Sequence, residues 1–72
     1  MVITWGRASA FNLGRVAGTD IRVERNRDKD GKKWAFLISN DDSTYLYVDD
    51  HWYDTKEELD RGIEEWMKLK NY

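Results

Sequence analysis

The run Trp34-Ala35-Phe36-Leu37-Ile38 is the longest strongly apolar stretch of the chain, and both of its alternating sets are apolar. In an extended segment Trp34, Phe36 and Ile38 point to one side, Ala35 and Leu37 to the other. A strand of this composition is covered on both faces, or at least flanked on both edges. It therefore belongs inside a sheet, and its neighbours in sequence must supply the flanking strands. Asn40-Asp41-Asp42-Ser43 is a cluster of turn formers whose side chains bond to nearby backbone. Thr44-Tyr45-Leu46-Tyr47-Val48 follows, rich in β-branched and aromatic residues. Joined by so short a polar connection, the two segments are expected to pair as an antiparallel hairpin. Strict alternation places Tyr45 and Tyr47 on one face, and Leu46 and Val48 on the other.

A helix is expected over about 56–70. Thr55-Lys56-Glu57-Glu58 has capping-box spacing, with Thr55 as N-cap. Asp54, Glu57 and Glu58 lie near the positive end of the helix dipole, Lys68 and Lys70 near the negative end. Leu59, Ile63, Trp66 and Met67 form one apolar stripe. Gly62 interrupts the helix interior, at a cost of about 1 kcal/mol relative to Ala. A close helix–sheet approach at that position would account for it.

Upstream, Ile21 and Val23 alternate with Arg22 and Glu24 within Thr19–Arg27, the pattern of a half-buried strand. Asp28-Lys29-Asp30-Gly31 leads back towards Trp34, with Asp30-Gly31 suited to the positive φ angles of a tight turn. Val2 to Trp5 reads as a first strand. Between Gly6 and Gly18 the pattern fits a strand over about 10–17, bent at Gly14, or a single helical turn. The expected fold is α+β: an antiparallel sheet of three to five strands, with a firm meander over about 20–48 and one C-terminal amphipathic helix packed on one face. All 72 residues are assigned to one small domain.

The chain has no cysteine, so neither disulfides nor thiolate zinc sites can staple it. Four Trp, four Tyr and two Phe must carry the packing instead. No apolar run approaches the roughly 20 residues needed to span a bilayer, so no membrane partner is expected. Met1-Val2-Ile3-Thr4-Trp5 lacks the basic region and long apolar core of a signal peptide. Together with the missing cysteines this points to a complete short reading frame retained in the cytoplasm.

Catalytic and metal chemistry find little purchase. Asn26-Arg27-Asp28-Lys29-Asp30-Gly31 matches the start of an EF-hand calcium loop, but Leu37 stands where the closing bidentate Glu is required. His51, the single histidine, is set among Asp49, Asp50 and Asp54. Adjacent residues of an extended segment point to opposite sides, so these four do not converge. Gly14 and Gly18 fit neither the dinucleotide nor the P-loop pattern. No nucleophile elbow surrounds Ser9, Ser39 or Ser43. No metal, no cofactor and no enzymatic activity are expected.

Binding is the remaining class, and charge divides the chain. Residues 1–33 hold eight Lys/Arg and four Asp/Glu; residues 34–72 hold four and ten. Tyr45, Tyr47, Trp52 and Tyr53, rimmed by Asp41, Asp42, Asp49 and Asp50, have the composition of a protein interface. The principal expectation is a protein-binding or inhibitor-like accessory protein, of the kind encoded by a phage or mobile element. Its candidate residues are Tyr45, Tyr47, Asp49, Asp50, Trp52 and Tyr53. Two arrangements stay open: the tyrosines lie outside if the helix covers Leu46 and Val48, and pack beneath it otherwise.

The alternative is nucleic-acid binding through the basic hairpin Arg22, Arg25, Arg27, Lys29, Lys32 and Lys33, with Trp34 adjacent. Three strands followed by a helix that opens with Tyr53-Asp54-Thr55 resemble the AP2 and integrase-arm DNA-binding domains. The resemblance implies that Trp34 occupies the second strand and that the first two strands face DNA. Asp20, Glu24, Asp28 and Asp30 depart from the strongly basic pattern of those domains. The chain is expected to be a monomer or a homodimer, the latter by pairing of exposed strand edges.

Overall fold

The computed structural model describes residues 3–42, 44–49 and 51–72. Val2, Ser43 and Asp50, which figure in the expectations above, lie outside the described residues. The architecture is α+β. Five strands, β1 (Ile3–Trp5), β2 (Leu13–Val16), β3 (Arg22–Arg27), β4 (Trp34–Ser39) and β5 (Tyr45–Val48), form one antiparallel sheet in sequence order. The sheet is an open meander, and helix α1 (Lys56–Leu69) packs against it.

The uncertain segment after β1 uses both of the forms its sequence allows. A 3-10 turn over Ala8–Ala10 precedes β2, which is shorter than the 10–17 expected. At the β3–β4 connection only Gly31 takes a positive φ, 70°, so the turn is not the two-residue Asp30-Gly31 type. It is a longer loop closed by the Asp28 amide donating to the Lys33 carbonyl at 3.0 Å. The Asp28 carboxylate accepts from the Lys32 amide at 2.8 Å. That bond holds the Asp28 carboxyl below the usual carboxylate range.

The helix forms as its sequence dictates. Thr55 is the N-cap, and its hydroxyl oxygen accepts from the Glu58 amide at 3.1 Å. Leu59, Ile63 and Met67 are fully buried, and Trp66 packs at the margin of the core. They lie on Val16, Ile21, Val23, Trp34, Phe36 and Ile38 from the sheet. β4 is flanked by β3 and β5 but carries a helix on one face only. Its apolar character on both sides reflects that interior position between two strands.

Two glycines set how closely elements approach. A Cβ on Gly62 would lie 2.8 Å from Tyr53 Cζ and nearer still to its hydroxyl. The helix interior therefore accommodates a tyrosine, held in place because Tyr53 and Trp34 exchange backbone bonds of 2.7 and 2.9 Å. Gly14 stands between Trp5 and Val23 across the sheet. A Cβ there would lie 2.7 Å from the Trp5 ring, so the indole rests in the space left by the glycine. Over that indole sits the Arg25 guanidinium, 3.4 Å from the ring centroid.

Strand β5 overturns one expectation. Leu37 pairs with Val48 and Ile38 with Tyr47, but Ser39 pairs with Tyr45, leaving Leu46 as an inserted residue. This β-bulge breaks the period of two. Ser39 and Ile38 face opposite sides of the sheet, so Tyr45 and Tyr47 do too. Tyr47 turns under the helix, its ring 5.6 Å from those of both Phe36 and Trp66. Tyr45 remains 67 % exposed on the other side.

Candidate interaction surfaces

The aromatic and acidic residues between β4 and α1 separate into two groups. Tyr47 and Tyr53 pack against the core, while Tyr45 and Trp52 are exposed. Asp49 Oδ1 accepts from the Tyr47 hydroxyl and from the His51 amide, each at 3.2 Å. The His51 ring meets the Tyr53 ring edge-on at 4.5 Å. A shallow groove thus opens beside the helix, lined by His51, Tyr53, Glu58, Arg61, Gly62 and Glu65. The Tyr53 ring reaches its place in the wall because Gly62 has no side chain to exclude it. Glu58, placed by the sequence in the capping-box spacing with Thr55, and Glu65 belong to this surface. Their i, i+7 spacing, flanking Gly62 on a helix, is the signal that could have found them.

Burial raises the Tyr53 phenol above its ordinary pKa, and the neighbouring Asp49 charge adds to the shift. A phenol whose folded pKa is raised stabilises the fold fully below its unfolded value, and that contribution is lost as pH rises through the folded value. Stability is therefore expected to fall above about pH 10. In Tyr53→Phe this part of the alkaline loss should disappear, which urea midpoints measured from pH 8 to 11 would detect. An unchanged alkaline limb would place the titration elsewhere.

The basic hairpin is dispersed by the fold. Arg22 and Glu24 lie on the sheet face away from the helix; Arg25 and Trp34 lie on the helix side and are buried. Arg25 is committed to the interior. Its Nε and Nη2 donate to Asp60 Oδ1 and Oδ2 at 2.9 and 3.2 Å, and its Nη1 to the Phe11 carbonyl at 3.2 Å. Arg27 sits over the Trp34 ring, 4.3 Å from its centroid. Lys33 pairs with Asp54, and the contact holds the lysine pKa above and the aspartate pKa below their ordinary values. Lys29 and Lys32 are exposed in the loop. A DNA face built on β3 and β4 is thus without the Arg25 and Trp34 side chains. A five-stranded sheet also departs from the three strands that the resemblance implied.

Among the described residues no group of three or more His, Cys, Asp or Glu is placed to hold a metal ion. No helix among them is long and apolar enough to cross a membrane. Comparison of the chain with protein-family models, with curated proteins and with solved structures finds no match in any of the three.

Proposed function

We propose that this chain is a non-enzymatic binding module that docks on a partner protein through the groove beside α1. His51 and Tyr53 anchor the contact, and Glu58 and Glu65, which outnumber Arg61, select a basic segment of the partner. The supporting observation is the groove itself, in which aromatic rings and carboxylates from two separate chain segments share one concave surface. Half-exposed aromatics inside a polar rim are the usual energetic centre of a protein interface. The acidic helix surface around them favours encounter with a cationic partner and makes that encounter salt-dependent. An inhibitor of a nucleic-acid-handling enzyme is one such partner relationship, since a row of carboxylates offers a basic cleft the charge it meets on a phosphate backbone.

The test is capture of partners from the native cell with the intact chain and with four variants, scored quantitatively by mass spectrometry. The double reversal Glu58→Lys and Glu65→Lys is expected to deplete the captured set at least about tenfold, as is His51→Ala. Arg27→Glu with Lys29→Glu should leave it unchanged. The opposite pattern, or capture dominated by nucleic acid and abolished by Arg22→Glu, would overturn the reading in favour of the hairpin.

A further inference from the structure

The face of the sheet away from the helix is built of two cross-strand rows. Leu13, Glu24, Leu37 and Val48 stand opposite one another across β2 to β5. Thr4, Arg15, Arg22, Ser39 and Tyr45 form the adjoining row across all five strands. On this face Leu13 is 51 %, Val48 59 % and Tyr45 67 % exposed. Large apolar side chains gathered on one uncovered sheet face, unlike scattered ones, mark a surface that is covered by something.

We propose that a second copy of this chain covers it, as a two-fold sandwich of sheets. The charge pattern is self-complementary in one way only. β3 is the central strand, and it carries Arg22 and Glu24 two residues apart on this face. A two-fold axis lying between the sheets and running across the strands places β3 over β3 of the partner copy with its direction reversed. Passing between the two rows, this axis sets Arg22 over Glu24 and Glu24 over Arg22. At the sheet edge Tyr45 and Val48 exchange contacts in the same manner. An axis running along β3 would set Arg22 over Arg22 and Glu24 over Glu24, a like-charge arrangement that is disfavoured. The Arg22 guanidinium has five donors, so a carboxylate across the interface adds to any bond within its own chain.

The size of the face fits a weak dimer. Five strands about 4.8 Å apart, each contributing about four residues of 3.3 Å rise, span roughly 24 by 13 Å. With side-chain relief such a patch buries about 500–600 Å² per copy, at the low end for specific interfaces. Faces of this size are characteristic of weak complexes, and a dissociation constant of about 10 µM is expected for the dimer. The groove beside α1 stays open in this dimer, so self-association and partner capture can fail separately.

The test is sedimentation equilibrium of the purified chain from about 1 µM to 1 mM, a span that brackets that constant. The intact chain should dimerise. Arg22→Glu and Glu24→Arg should each weaken dimerisation at least about tenfold, because like charges then meet at the axis. Mixing the two variants should give a heterodimer of near-normal affinity, since each supplies what the other lacks. Val48→Lys, at an exposed position, should also give a monomer, with folding of every variant checked by circular dichroism. A chain that stays monomeric at 1 mM, as it would if an unrelated protein covered this face, overturns the proposal. So does a dimer indifferent to Arg22→Glu and Glu24→Arg, or a mixture of those variants that fails to associate.

Discussion

Asp60→Ala is expected to destabilise the fold by about 2–3 kcal/mol, and Arg25→Met by about 1 kcal/mol or less. The two side chains form one ion pair, yet they are not equivalent. The Arg25 side chain is 5 % exposed and that of Asp60 is 33 % exposed. Removing Asp60 strands a guanidinium between the helix and Trp5, with only the Phe11 carbonyl at 3.2 Å still accepting from it. A buried charge deprived of its partner typically costs about 3–5 kcal/mol, discounted here because water reaches the Asp60 side. Removing Arg25 leaves a carboxylate that is partly in water and still 3.3 Å from the Lys56 ammonium. Methionine also refills the space above the Trp5 ring with a polarizable side chain. For a domain of this size the total stability is about 4–10 kcal/mol, so Asp60→Ala should lower Tm on the order of 10–20 °C. Urea denaturation of both variants checks the order. A larger loss for Arg25→Met would mean that the arginine acts chiefly through its packing and its bond to Phe11.

Leu59→Ala is expected to cost about 3 kcal/mol, the usual range for a buried leucine being about 2–5 kcal/mol. Leu59 is fully buried and lies in the stripe with Ile63 and Met67, the helix's whole buried face. Among the described residues the helix is the one layer that covers the sheet, so little else can collapse into the cavity. Leu69, in the last helical turn, is 82 % exposed. Leu69→Ala should change stability by no more than about 0.5 kcal/mol. Urea midpoints of the two variants decide the matter. Similar losses at both positions would mean that the last turn of α1 is covered by a contact of its own.

Much of this organisation was legible in the sequence because it depends on local chemistry. The Thr55 cap, the Leu59-Ile63-Met67 stripe and the apolar run of β4 each fix an element through residues a few positions apart. Gly62 was legible as a question, and Tyr53 is its answer. The buried ion pair left a fainter signal. Arg25 continues the period of Ile21 and Val23, so alternation alone turns it towards the core. Its charge instead suggested an outward position beside Arg22 and Arg27. The acceptor that makes burial tolerable, Asp60, lies 35 residues away, and no local pattern joins the two. The candidate groove was half visible for the same reason. Its aromatic wall is one continuous segment, but Glu58 and Glu65 come to it only through the packing of the helix.

The sequence by itself determined the identity and order of the main elements, since hydrophobic period, capping and turn chemistry act over a handful of neighbours. Only the tertiary structure decided which face the helix covers and which side chains are left in water. For the tyrosines the outcome rests on a single inserted residue in β5, Leu46, which reverses the side on which Tyr45 lies relative to Tyr47. A bulge is set by the match between two strands and the layer above them. It therefore has no counterpart in the alternation of either strand alone.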